Sequence, residues 1–181
     1  MTKVFTIFAP YFFILIAGMK EILQQLTTYN LWANSLLLEA IKKTPEELHQ
    51  KEVASSFPSL LKTILHMWNA ESVWWQRMKL KERIIEPKDS FDGNLQDAVE
   101  GLMQQCKQWT EWVSNSKDHH LDHVFEYRNF KGEQFKQPIY QMLLHLFNHE
   151  TYHRGQLVTI LRQLGVEKIP QTDFIVWSRR K

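Results

Sequence analysis

From about Gln137 to Leu164 the chain repeats an apolar residue every three or four positions: Ile139, Met142, Leu143, Leu146, Leu157, Ile160, Leu161 and Leu164. That period marks a helix that buries one face. Such a stripe needs a facing layer, and here other helices must supply it. Two histidines interrupt the pattern. His153 falls inside the stripe and His149 at its edge, where leucines would otherwise stand. A buried imidazole without a partner is costly, so both rings need satisfying groups. A hydrogen-bonded pair of core histidines is one answer. A metal ion is the other: residues four apart on a helix have Cβ atoms roughly 5–6 Å apart, which suits two nitrogens each about 2.0–2.1 Å from a zinc-sized cation.

His149-Glu150-Thr151-Tyr152-His153 also spells H-E-x-x-H, the pattern of a zinc peptidase with Glu150 as general base on activated water. The rest of the chain counts against that reading. No histidine follows His153, Gln156 stands at the Gly position of the extended motif, and Glu167 lies beyond the helix-ending Gly165. Glu150 instead falls on the central apolar line, where it can support the histidines from behind. A third ligand is still required. His145, His149 and His153 form an i, i+4, i+8 ladder, but a rise of about 12 Å between its ends stops one ion from holding all three. His145 is left as a support, a core-edge residue or uninvolved. His119, His120 and His123 lie in a polar connector, and His49 in a polar segment. His66 remains as the candidate on a facing helix, although the stripe Leu61, Ile64, Leu65, Trp68 and Trp75 does not include it.

With 181 residues, 44% hydrophobic and 23% charged, the chain suits one well-buried domain. A net charge of +2 from interspersed residues, with Arg179-Arg180-Lys181 as the one basic block, gives no nucleic-acid footprint. The single cysteine, Cys106, excludes an intrachain disulfide and agrees with a reducing, cytoplasmic setting. Its place in the series Leu95, Ala98, Val99, Leu102, Cys106, Trp109, Val113 makes it a buried small hydrophobe rather than a nucleophile. Val4 to Gly18 is almost wholly apolar, too short for a comfortable membrane span of about 20 residues and interrupted by Pro10. A signal-peptide core and a short anchor are alternatives. The favoured expectation is that residues 1–18 precede the natural start, that Met19 opens the domain 19–181, and that no membrane is involved.

Helix 1 is expected over about Lys20–Lys43, with Ile22, Leu26, Tyr29, Ala33, Leu36, Leu37 and Ala40 on its buried face, and Thr44-Pro45-Glu46-Glu47 reads as a capping box. Helix 2 is expected over Pro58–Lys81, helix 3 from an Asn94 cap to Ser116, and helix 4 over Gln137–Leu164, ending at Gly165. Val124–Tyr127 and Glu133–Phe135 flank Lys131-Gly132 as a small hairpin. Four long amphipathic helices predict an all-α four-helix bundle, whose interior is a usual place for metal sites.

Tyr29-x-x-Trp32-Ala33-Asn34, Leu65-His66 with Ala70-Glu71 and Trp74, and His145-x-x-x-His149-x-x-x-His153-Arg154-Gly155-Gln156 together resemble the DinB/YfiT-like family. Leu161-Arg162-Gln163-Leu164-Gly165 and Thr172-Asp173-Phe174-Ile175 resemble its tail, so the likeness runs from about Met19 to the C-terminus. The resemblance implies a four-helix bundle, commonly a homodimer, that binds a divalent ion such as nickel or zinc through His66, His149 and His153. It also implies a small-molecule substrate and thiol-dependent transfer, with thiols such as bacillithiol or mycothiol as co-substrate; a metal-dependent hydrolase and a non-catalytic metal-binding bundle are the alternatives. His145, Glu150, Arg154 and Trp74 are then candidates to support the ligands or line the pocket. Arg154 could meet a cofactor's carboxylate or form a structural ion pair.

Overall fold

Four long helices carry the fold in the computed structural model, which describes the backbone of residues 8–180 and the side chains from Gly18 to Arg180. They are α1 (Phe8–Lys42), α2 (Leu60–Met78), α3 (Leu95–Asn115) and, after a short α4 (Asp118–Leu121) and a hairpin, α5 (Ile139–Gln163); α6 (Phe174–Ser178) closes the chain. The bundle expected from the apolar periods is therefore present. Helix α1 starts at Phe8, upstream of the expected Lys20. The question of whether residues 1–18 belong to the domain turns on side chains outside the described residues. No helix among the described residues is long and apolar enough to cross a membrane.

Each of α1 and α2 packs on both α3 and α5, which sets α1 and α2 at opposite corners. The connector 43–59 therefore crosses the bundle, with a 3-10 turn at Glu46–Leu48 on the way. The expected capping box at its start does not form: the Thr44 hydroxyl donates to the Ile41 carbonyl at 2.7 Å instead, closing the last turn of α1. Asn94 and Asp97 do form a reciprocal capping box at the start of α3. Gly165, at φ +82°, ends α5 in the left-handed conformation that glycine adopts without strain. The hairpin pairs β1 (Val124–Arg128) antiparallel with β2 (Gln134–Pro138), and α5 starts two residues later than expected because Pro138 closes the strand.

Two apolar clusters fill the bundle. One joins Leu37, Leu38 and Ile41 of α1 to Leu60, Ile64 and Met67 of α2, Leu102 of α3 and Leu157, Ile160 and Leu161 of α5. The other joins Leu23 of α1 to Met78 of α2, Trp109 and Val113 of α3, and Met142, Leu143 and Leu146 of α5. The stripes expected for α3 and α5 are buried as read, apart from the half-buried Leu164. The face expected for α1 needs correction. Its buried line is Leu23, Thr27, Asn30, Ala33, Asn34, Leu37, Leu38 and Ile41, while Ile22 is 50% exposed. Three polar residues on the inner face pulled the apparent apolar stripe round the helix.

Candidate metal centre

The polar residues of α1 belong to a layer that separates the two apolar clusters and draws on all four long helices. Asn30 and Asn34 of α1, Glu71 of α2, Cys106 of α3, and Glu150 and Arg154 of α5 are all buried. Arg154 donates to Asn30 Oδ1 at 2.5 Å, to Asn34 Oδ1 at 3.1 Å and to Thr151 Oγ1 at 2.7 Å, with its guanidinium 5.2 Å from the Tyr29 ring. The two amides pass the order on, Asn30 donating to Glu71 at 3.2 Å and Asn34 to Glu150 at 3.0 Å. The Cys106 thiol donates to the Glu71 carboxyl at 3.4 Å. Burial raises the Glu71 pKa well above the carboxylate range, helped by Glu150, against the opposing effects of Cys106, Asn30 and Arg154. Burial, then Glu71 and Glu150, raise the Cys106 thiol as well. A buried, protonated thiol is inert as a nucleophile, and it acts here as a polar link rather than the plain hydrophobe expected.

Beside this layer, on the α2–α5 side, three imidazoles meet. His149 Nε2 lies 3.1 Å from His66 Nε2 and 3.0 Å from His153 Nε2, and the three ligand atoms lie within 4.8 Å of one another. Three nitrogens bound tetrahedrally to one ion at metal–nitrogen distances of about 2.05 Å would be about 3.3 Å apart. Two of the three separations are therefore close to those of a three-histidine cation site, and the third is within 4.8 Å. The His153 tautomer agrees. Gln156 Oε1 accepts from His153 Nδ1 at 2.7 Å, which leaves the Nε2 lone pair facing the cluster, the arrangement expected where a neighbour orients a ligand ring. Two of the rings also resist protonation: burial first, then His153 and His149, lower the His66 pKa to about 4, and burial followed by His149 lowers that of His153.

Neighbouring side chains contact the rings of His66 and His153. Phe57, in the connector before α2, stacks on His66 with centroids 3.9 Å apart and meets His153 edge-on at 5.6 Å. The Ser59 cap of α2 and the Thr63 bond to the Ser59 carbonyl fix the first turn that carries His66 towards α5. Glu150 is fully buried with Oε1 3.9 Å from His149 Nδ1, and neither atom has a hydrogen-bond partner. His145 is exposed, 6.2 Å from the His149 ring and 5.6 Å from Trp74. It lies beside the cluster rather than in it. Of the remaining histidines, His49 bonds the Thr44 carbonyl and His119, His120 and His123 are exposed.

Phe57, Gln156, Asn30, Asn34 and Glu71 are the residues for which the sequence reading had no role at the site. Gln156 and the asparagines were detectable in principle: the former sits one turn beyond His153, and the latter repeat at i, i+4 within an apolar line. Phe57 gave no such signal, because it reaches the site from an irregular connector.

Comparison with known proteins agrees with this architecture. The curated Protein DinB of Bacillus subtilis is 24% identical over 165 residues, covering 86% of this chain and 93% of that protein. Among solved structures, a DinB-like protein from Bacillus cereus superposes with a TM-score of 0.61 at 24% identity, over 80% of this chain and 91% of its own. YfiT of Bacillus subtilis, a bundle with an unusual four-helix topology, superposes with a TM-score of 0.60 at 13% identity, over 92% and 95%. The family description that matches residues 19–179 is that of the DinB family, and the chain belongs to it.

Proposed function

We propose that the protein is an enzyme that holds a divalent cation, zinc or nickel, between His66, His149 and His153 and transfers a low-molecular-weight thiol to an electrophile. The donor set carries this reading. Three imidazoles converge, and among the described residues no carboxylate or thiol joins them. Such a set leaves a bound ion its full charge and at least one open position, and the ion supplies Lewis acidity that lowers the pKa of a thiol or water brought to it.

The protein groups around the cluster favour the thiol. Glu150 approaches His149 at Nδ1, the ring nitrogen away from the cluster, so it is not placed to take a proton on the open side as a peptidase base would. A nucleophile that ionises readily fits that arrangement better, and a thiol, with a pKa of about 8.5, needs far less help than water at about 15.7. Gln156 holds the His153 tautomer, Phe57 shields one side from water, and His145 with Trp74 lies beside the cluster. The reading includes a homodimer, as the family resemblance implies, in the reducing, cytoplasmic setting that the single cysteine suggests, and sedimentation should then give the mass of two chains.

Metal-dependent hydrolysis is the second reading, since the similar fold of YfiT belongs to a protein described as a probable metal-dependent hydrolase. Incubating the metal-loaded protein with a panel of small thiols, a chromogenic electrophile and an ester separates the two. Thiol-dependent conjugation is expected. Ester cleavage without thiol would replace transfer with hydrolysis, and silence with the metal retained would leave a binding protein.

A further inference from the structure

The last turn of α2 carries a cation with no ion-pair partner among the described residues. Arg77 is half-buried among three rings, its guanidinium carbon 4.8 Å from the Trp74 centroid, 5.4 Å from Tyr127 and 5.0 Å from Phe130. Its Nε is buried without a hydrogen-bond partner, and no carboxylate pairs with it among the described residues. Burial lowers its pKa, with Tyr127 and Glu86 opposing. A partly desolvated charge of this kind is costly until a counter-charge reaches it. Its N–H groups lie in the guanidinium plane, so stacking on ring faces leaves them for a planar acceptor.

Arg77 lines a cavity of about 310 Å³ together with Lys81, Arg128, Glu82, Glu126 and Tyr127. Glu126 is already engaged by Lys136 at 3.0 Å and by Gln134. Three cations then face one free carboxylate. The volume is at the lower end for small-molecule pockets, enough for one end of a ligand. A chain of rings leads from here to the histidine cluster: Trp74 beneath Arg77 meets His145 at 5.6 Å, and His145 meets His149 at 6.2 Å. Along α2, the rise from His66 to Arg77 is about 16 Å.

We propose that this cavity is an oxyanion subsite that takes the carboxylate or phosphate end of an elongated small molecule whose other end reaches the three histidines, with Arg77 as the fork that grips it. The far end of the ligand rests on the function proposed above; anion binding at Arg77 does not.

The test uses the full-length protein, with and without zinc, titrated with acetate, succinate and inorganic phosphate while the arginine Nε–H signals are followed by NMR. The Arg77 signal is the one missing from Arg77→Gln. At least one anion should shift it saturably in both metal states, and the tighter binder tells carboxylate from phosphate. Calorimetry should show affinity reduced about tenfold or more in Arg77→Gln, the loss of a charged hydrogen-bonded pair. Arg77→Lys, which keeps the charge without the fork, should also bind more weakly and carries the test if the glutamine variant does not fold. No saturable shift with any anion, or equal affinity in the variants, overturns the proposal. Anion binding by a protein that fails to hold zinc would keep the subsite and remove the metal reading, whereas zinc binding without anion binding would do the reverse.

Discussion

Replacing Arg154 with methionine should be among the most damaging single changes in the molecule, although Arg154 is not one of the three clustered histidines. It is the one buried Arg or Lys among the described residues, 3% exposed. Methionine fills much of its volume, so the cost is electrostatic rather than a void. Asn30 Oδ1 and Asn34 Oδ1 lose their charged donor, and each buried acceptor left unsatisfied costs about 1–3 kcal/mol. Thr151 is exposed and can turn to water. Glu71 also loses the cation that offsets its burial. The sum is about 3–5 kcal/mol, the range for breaking a buried charged contact, against a total stability of about 5–15 kcal/mol. Urea unfolding of the metal-free protein measures it. Adding Glu71→Gln to Arg154→Met should recover part of the loss, because the two act in one network. A loss below about 1 kcal/mol, or strictly additive effects, would refute the central polar layer as a stabilising unit.

Three further changes probe other contacts. A Cβ on Gly101 would lie 2.5 Å from two Trp68 ring atoms and 2.7 Å from a third, so Gly101→Ala should lose about 1–3 kcal/mol through overpacking despite alanine's helix propensity; a more stable variant in urea would contradict the close approach. Leu80 holds φ at +51° just past α2 and is 66% exposed, so Leu80→Gly should raise the melting temperature through a gain of about 1 kcal/mol; a fall would show that the leucine is held by packing. For pH, the His66 pKa is held down to about 4 while an unfolded imidazole titrates near 6.5. The unfolded chain therefore takes up a proton that the folded chain refuses, and stability, full above about pH 6.5, falls as pH drops towards 4. Solvent screening of a half-exposed ring reduces the effect to on the order of 1–2 kcal/mol. Urea midpoints of the metal-free protein at pH 7 and 4.5 should separate less in His66→Gln, and an equal separation would rule His66 out as the source.

How far the sequence reaches depends on whether the buried face is apolar. On α3, Leu95 to Val113 repeat without interruption, and those residues are the buried ones. On α5 two apolar runs flank the histidines and define the phase across them. On α1 the inner face itself is polar at Thr27, Asn30 and Asn34, so a search for apolar periodicity settles on the wrong side. His66 meets the other two rings from a position beside the core line of α2, between Thr63 and Met67, which is why periodicity alone could not assign it. Phe57 and the Arg77 cavity depend on how a connector and a hairpin fold back over α2. Those contacts are long-range, and no local pattern encodes them.

The proposed function requires His66, His149 and His153 to hold one divalent cation. Metal content after dialysis against limiting zinc, measured by mass spectrometry on the wild type and on single alanine variants, tests it most directly. One ion per chain is expected in the wild type, with strong loss in His66→Ala, His149→Ala and His153→Ala. His145→Ala should retain the ion, with affinity lowered by no more than about 10–100-fold even if that ring supports a ligand. Full stoichiometry in His66→Ala would take α2 out of the site and leave no three-histidine centre.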